Sequence, residues 1–433
     1  MGNILKAGVF NVDVTPEIGG PIAFGINKKT DSPIFIRGVI IDDSKKRIVL
    51  ASCDFLYIWG NAYEQMKKVI AKAAGTVPQK VLLHSVHQHD SINIAIELND
   101  IHKKYIGIEV TPLAYYKKIN EDMENAVAKA VRKMKTVKNL ASAERRISGL
   151  ASNRRLLDKN GKVHAMRWSM CHNPELQSEA TGVIDPMLRS IAFIGGNDKP
   201  LAVMHFYASH PMTAYGRNMC SADVPGVALE YVKKHYDENV SHIYFTGCGG
   251  NITFGKYSLE NKEKSLKFLG KRLGKEILEN CRQLEKKKIG SIALKNSSFE
   301  LPLKAELNEK KLLEKIEKTE DRHVLILLST LLETVRNWEK WKNLNITRLS
   351  IGEDIHILSL PSETVIEYQL YAQELVPEKF LACAAYANSS YGYIPTAKMY
   401  SEGGYEPGGA SITTIDAEAA MKKAIYETLQ NLR

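Results

Sequence analysis

The chain has 433 residues, longer than the usual single domain, and is 44% hydrophobic and 25% charged, a balance that builds an ordinary globular core. A formal net charge of +10 raises nucleic acid or an anionic surface as partner, but the lysines interleave with Glu in stretches such as ENKEKSLKFLGKRLGKEI and LNEKKLLEKIEKTE. With no arginine-rich aromatic run and no zinc-finger or RNA-binding signature, these stretches read as solvated helix faces, and no nucleic-acid partner is expected.

The N-terminus, MGNILKAGVF, lacks the charged and apolar regions of a signal peptide. Gly2 is followed by Lys6 where a myristoylation motif wants Ser or Thr. No apolar run reaches transmembrane length, so a soluble protein is expected from the chain as given, its location left open. KAGVFNVDV, PIFIRGVIID and KRIVLASCDF read as strands, the last two joined by the turn DDSKK. NAYEQMKKVIAKAAG has helical spacing and VLLHSVHQH follows as a strand, making a strand–helix–strand unit. YYKKINEDMENAVAKAVRKM is a second helix, SIAFIGG and PLAVMHFYAS form a hairpin, VPGVALEYVKKHY is helical, and SHIYFTGCGGN is a strand ending in glycines.

From about residue 258 to 344 the text becomes Lys/Glu-rich and mostly helical. One amphipathic helix over His323–Trp338 carries its apolar stripe at 324, 325, 328, 331, 332, 335 and 338, which reads as a packing face. Strand-and-loop text then returns: DIHILSLPSE ends in Glu363, ACAAYANSSYGYIPT runs into a tyrosine-rich loop, and AEAAMKKAIYETLQNL is the final helix. The expectation is one α/β domain over residues 1–433, with mixed β-sheets flanked by helices, a metal site at strand ends, and a charged helical insertion at about 258–344.

Several residues have the types that chemistry needs. In an extended strand His87 and His89 share a face, while His84 has its own parity, and an HxH pair offers imidazoles to zinc. LAVMHFYASHPM delivers His210 past a strand end, and DIHILSLPSE delivers Glu363 in the same way, where α/β sheets gather their active sites. Two histidines and a carboxylate suit a catalytic zinc with one position open for water. Against this stands the plainer reading of satisfied core or surface histidines.

Other motifs leave alternatives open. TGCGGN is either a phosphate-cradling loop or a tight turn, and it lacks the full GxGxxG. Cys248 within it is either a thiol nucleophile or a small turn residue. The remaining cysteines (Cys53, Cys171, Cys220, Cys281, Cys383) show no CxxC pairing and read as small buried residues. Arg154 and Arg155 are either an exposed pair or include an oxyanion clamp. Tyr386, Tyr391, Tyr393, Tyr400 and Tyr405 are either surface packing or contain a metal ligand or proton donor.

Taken in order, these pieces resemble the neutral/alkaline, non-lysosomal ceramidase family. VFNVDVTPEIGGPIAFG is similar to its Asp-Ile-Thr-Pro opening and glycine-rich turn, and IRGVIIDDSKKRIVLASCDFL to the strand pair that ends in an aspartate, here Asp54. VHQHDS matches its Thr-His-Thr-His-Ser, SNRRL its Asn-Arg-Ser-Pro, ASHPM its Val-His-Pro and PSE its Pro-Gly-Glu. YANSSYGYIPTAKMYSEGGYEPGGAS matches its tyrosine segment. The order is collinear from about residue 7 to 411.

The resemblance implies zinc held by His87, His210, Glu363 and Tyr393, a second active-site tyrosine at Tyr405, and His89 and Arg154 lining the pocket. The implied activity is hydrolysis of an N-acyl amide by a metal-activated water, with ceramide or a smaller, more polar N-acyl compound as substrate. Arg154, His89 and Tyr405 would then stabilise the tetrahedral intermediate or protonate the leaving amine. Arg155 and Leu156 replace Ser-Pro, Asn251 replaces an aspartate, and Asp90 stands where Ser is usual. The family's C-terminal immunoglobulin-like domain has no counterpart in the chain. Two alternatives accompany this reading: a cysteine-dependent hydrolase using Cys248, and a non-catalytic binding protein on the same fold.

Overall fold

A computed structural model describes residues 4–388 and 391–432; Gly2 and the Ser389–Ser390 pair of the tyrosine-rich loop lie outside them. The centre is a 13-stranded mixed sheet. Its strands run in the order Ser241–Thr246, Pro200–Tyr207, Met187–Gly195, Lys135–Arg146, Lys6–Asp13, Phe35–Asp42, Arg47–Cys53, Val81–Ser85, Phe380–Ala387, Ile355–Pro361, Asn343–Ile351 and Ile292–Glu300. The short strand Glu285–Lys287 adds to Lys135–Arg146.

Most neighbours are antiparallel, as tight turns such as Asp43–Lys46 allow. Three pairs are parallel: Arg47–Cys53 with Val81–Ser85, Pro200–Tyr207 with Ser241–Thr246, and Ile355–Pro361 with Phe380–Ala387. Each is joined by a helix, because parallel strands need a crossover. These helices are Gly60–Ala74, Asp223–His235 and Ile366–Glu374.

Burial follows the strand alternation. Met204, Phe206, Ile243, Phe245, Leu349, Ile357 and Ala384 belong to a core built from strand and loop residues with no helical member. Residues of the opposite parity, such as Val203, Tyr207 and Tyr244, pack under helical residues such as Val224, Leu269 and Leu273. One face of the sheet therefore packs on itself and the other is covered by helices. No helix among the described residues is long and apolar enough to cross a membrane.

Residues 258–344 hold the helices Lys262–Arg282, Glu309–Ile316, Arg322–Arg336 and Trp338–Trp341. Leu328, Leu332 and Trp338 are buried from that stripe, whereas Val324 at its edge is 42% exposed. The same stretch also supplies Ile292–Glu300, a strand at the sheet's edge.

Candidate metal centre

Each parallel pair delivers one or more polar side chains past its C-terminal end. The chain leaves Val81–Ser85 and folds back, Val86 N and His87 N donating to Cys53 O and Phe55 O at 2.8 and 2.9 Å. His87 has φ +75, in the left-handed region that a histidine enters at a cost. The alternating-face argument for His87 and His89 is therefore corrected: the strand ends at Ser85, and a turn aims both rings inward. His210 follows Pro200–Tyr207 and donates its N–H to Ile252 O at 2.9 Å. Glu363 follows Ile355–Pro361 through Ser362, also left-handed at φ +58, and pairs in register with Tyr393.

The ring partners fix the tautomers. His87 Nδ1 is 2.9 Å from Leu56 O, and His210 Nδ1 is 3.3 Å from Gly249 O. A carbonyl only accepts, so each Nδ1 carries the proton and each Nε2 presents a lone pair. Those two Nε2 atoms are 3.2 Å apart, and Glu363 Oε2 lies 3.3 Å from the first and 3.9 Å from the second. Glu363 Oε2 has no hydrogen-bond partner among the described residues, while Oε1 accepts from the Tyr57 hydroxyl. Three buried donor atoms thus converge on one point, which either a proton on His87 or a cation must occupy. A cation resolves that arrangement, and two imidazoles with a carboxylate are a zinc-type donor set.

The protonation states agree. Burial drives the His210 imidazole well below its ordinary range, aided by His87 and His89. Burial alone would raise the Glu363 carboxyl, but His87 and the Tyr393 and Tyr57 hydroxyls outweigh it and hold it at about 2. A neutral imidazole beside an ionised carboxylate is the ligating state. His89, one of three histidines whose ring nitrogens lie within 4.8 Å of one another, is held at about 3, chiefly by burial. Its Nδ1 is 3.2 Å from His87 O, which leaves Nε2 free.

Tyr393 pairs in register with Glu363, and its ring lies parallel to that of His210 at 6.4 Å. Burial pushes its phenol well above the usual value, and the Arg154 guanidinium opposes that. Arg154 is 1% exposed and donates through Nε to Glu406 Oε1 at 2.7 Å, with Nη2 unpartnered among the described residues. Its guanidinium lies 5.2 Å from the ring centre of Tyr393 and 5.4 Å from that of Tyr405. Arg155 donates to the other oxygen of Glu406 at 2.7 Å and to Glu402 at 3.0 Å. The exposed-pair alternative for these arginines is thereby overturned: both are buried, and Glu406 bridges them.

The other sequence candidates divide. Gly250 is required by close approach, since an added Cβ would lie 2.8 Å from Glu363 O, and Gly249 is tightly enclosed, its Cβ position 3.1 Å from His210 N. TGCGGN is thus a tight turn that braces the centre. Cys248 is wholly buried, donates its N–H to Gln369, and burial drives its thiol well above the usual range. A reactive cysteine needs access and a stabilised thiolate, so the geometry speaks against Cys248 as nucleophile. His84 bonds Ser52 and Thr246 within the sheet. Tyr391 packs among Trp59, Trp338 and Trp341.

Two contributors escaped the sequence reading, Tyr57 on Glu363 and Glu406, while Tyr386, one of the five candidate tyrosines, stacks on His87 at 4.3 Å. Above the buried donors the mouth is aromatic. Phe24 stacks on His89 at 5.6 Å with Tyr215 edge-on to both, and Trp168 meets Tyr405 at 5.3 Å. Phe24, Trp168 and Tyr405 are 40%, 40% and 45% exposed, so the aromatic surface faces outward.

No family description and no curated protein matches the sequence. Solved structures do match. The neutral ceramidase from Pseudomonas aeruginosa is 15% identical, with a TM-score of 0.73 over 99% of this chain and 74% of its own. A ceramidase complexed with C2 is also 15% identical, with a TM-score of 0.74 over 99% and 75%. The chain has the fold of these neutral ceramidase structures along nearly its whole length.

Proposed function

We propose that the protein is a zinc-dependent amidohydrolase that cleaves the N-acyl bond of ceramide or a related lipid amide. The observation that carries this reading is the Nε2–Nε2 separation of 3.2 Å between His87 and His210, with the unpartnered Glu363 Oε2 facing both. The fold likeness to ceramidases supports the reaction class, and the aromatic mouth suits an apolar acyl chain. His87, His210, Glu363 and Tyr393 would hold the ion. Bound there, zinc would supply Lewis-acid activation of a water and of the amide carbonyl.

The chain's own residues account for the remaining requirements. Water adds to the carbonyl carbon, the C–N bond breaks, and the amine leaves with a proton. Arg154 Nη2, buried and unpartnered, is a charge-assisted donor for the oxygen that gains negative charge. Glu406 and Arg155 hold the Arg154 guanidinium in place, so it needs little reorganisation. His89, with its Nδ1–H on the His87 carbonyl, offers Nε2 as acceptor to orient the attacking water. Partial desolvation and the Glu363 charge raise the half-exposed Tyr405 phenol, which stays protonated and can donate to the leaving nitrogen.

The test is turnover of a short-chain ceramide and of N-acyl amino acids by purified protein. Chelation should abolish hydrolysis, zinc should restore it, and thiol alkylation should leave it intact. Protein that neither carries metal nor takes up added zinc sinks the reading. Metal binding without turnover of any amide points to a binding protein on this fold.

A further inference from the structure

One more group of metal-ligating side chains is drawn together among the described residues, away from the centre. His205 lies inside the strand Pro200–Tyr207, and His242 inside its parallel neighbour Ser241–Thr246. Their parity is that of Val203, Tyr207 and Tyr244, so both rings face the helices. Cys281, in the last turn of Lys262–Arg282, reaches the same point. One ring nitrogen of each histidine and Cys281 Sγ lie within 4.8 Å of one another, and all three residues are buried.

We propose that His205, His242 and Cys281 form a second metal site, which takes Zn2+ or a similar borderline-soft divalent ion. Two imidazoles and a thiolate select such ions over Mg2+ or Ca2+. Around them is the orienting shell that ligand histidines use. Ser190 Oγ lies 2.9 Å from His205 Nδ1, and Asn280 Nδ2 donates to that same oxygen at 2.8 Å. His205 Nε2 is thereby aimed at His242 Nδ1, 2.9 Å away, close to the separation of the two imidazoles at the first centre.

Burial keeps both rings neutral, His242 pushed down to about 4 and His205 well below its ordinary value. His242 also borders a cleft of about 790 Å³, shared with Asn11, Phe35, Arg37 and Leu266, which gives an ion and a completing water access. His242 Nε2 is buried with no partner among the described residues.

A cation-free alternative exists: one proton shared between His205 and His242 completes a hydrogen-bonded chain from Asn280 through Ser190. That chain gives Cys281 no part. Burial holds the thiol proton, pushing the group up to about 12, so ligation exchanges S–H for S–metal and releases the proton to solvent without redox change. Cysteine is therefore the discriminating ligand.

The experiment uses the full chain, stripped with chelator and loaded with Co2+. Two equivalents are expected, with a thiolate-to-cobalt charge-transfer band in the near ultraviolet. Cys281→Ser should lose the band and one equivalent. A His87→Ala, His210→Ala double variant should lose the other equivalent and keep the band. Absence of the band from wild-type protein overturns the proposal, as does full loading of Cys281→Ser. A band with a single equivalent, lost in Cys281→Ser, supports this site while sinking the hydrolytic-centre reading. Should Cys281→Ser fail to fold by circular dichroism, Cys281→Ala replaces it, and the wild-type band decides in either case.

Discussion

His205 and His210 stand five residues apart on one segment and make opposite uses of the same side chain. His205 sits within the strand, where Ser190 and His242 satisfy its two nitrogens and a hydroxyl proton can turn to suit either tautomer. His210 sits past the strand end, where a backbone carbonyl fixes its proton on Nδ1 and its Nε2 meets a second lone pair. Both pairs are buried and close-set. The first can relax around one shared proton without gaining charge, whereas the second can do so only by placing a positive charge on His87 beside the Glu363 carboxylate. Proximity of histidines is thus a weak mark of a metal site; what their outer nitrogens bond to is the stronger one.

The largest effect should come from removing a donor at the unrelaxed pair. Glu363→Ala and His210→Ala should each lose the centre's metal and at least about 10³-fold in amide hydrolysis, on the order seen when a catalytic unit loses a member. Metal content and kcat/KM check this together, with circular dichroism showing that the fold persists. Cys281→Ser should leave kcat/KM within about threefold, since Cys281 touches neither the first centre nor its mouth. If Cys281→Ser instead abolishes turnover, the two clusters are one functional unit and the comparison fails.

Arg154→Ala should cost about 10² in kcat, the usual consequence of removing one preorganised oxyanion donor, with metal content unchanged. Glu406→Gln should lower kcat by a smaller factor, because it weakens the support of Arg154 and leaves the guanidinium present. Ordering Arg154→Ala above Glu406→Gln separates a group that meets substrate from one that acts through it. An equal loss in both, with KM raised in each, would make the network a folding element.

How much of this was legible follows from where the signal lies. The strand–helix–strand unit ending in Val81–Ser85, the hairpin Met187–Tyr207 and the terminal helix all carry strong periodicity, and each formed. His87, His210 and Glu363 were visible as polar residues just past apolar strands. Ile292–Glu300 was missed because Lys295, Asn296 and Ser297 interrupt its apolar pattern, which an edge strand with one neighbour tolerates.

The turn at His87 was invisible because φ is set by Cys53 and Phe55 carbonyls more than thirty residues upstream. Glu406 and Tyr57 meet their partners only through tertiary folding, so no local pattern names them. Family resemblance singled out Tyr393 and Tyr405 among five tyrosines; that Tyr393 pairs in register with Glu363 and lies under the Arg154 guanidinium makes the choice testable.

A finer probe of the relaxed cluster is Ser190→Ala. It removes the group that orients His205 and leaves all three proposed ligands, so Co2+ affinity at that site should fall about 10- to 100-fold while the band survives at saturation. An unchanged affinity, read by titrating the band, would mean the hydroxyl serves the sheet and not the ion.

The smallest effect concerns buried histidines as a class. Burial lowers His84 to about 3 and His102, His242 and His356 to about 4, all below the ordinary 6.5. As pH falls below 6.5 the unfolded chain takes up protons that the folded chain refuses, so stability drops towards pH 4. Asp90 works the other way: burial raises it to about 6, so its contribution is present at low pH and lost as pH rises through that value.

With His89, His205 and His210 also lowered, seven histidines outnumber the raised carboxyls Asp90, Glu97, Asp223 and Glu367, and the metal-free protein should melt at progressively lower temperature from pH 6.5 to 4. His356 bonds Ser350 and Glu353 O outside both clusters, so His356→Gln should flatten that slope by one proton without touching either metal site. A slope unchanged in His356→Gln, but abolished in His242→Gln, would locate the acid sensitivity in the relaxed pair alone.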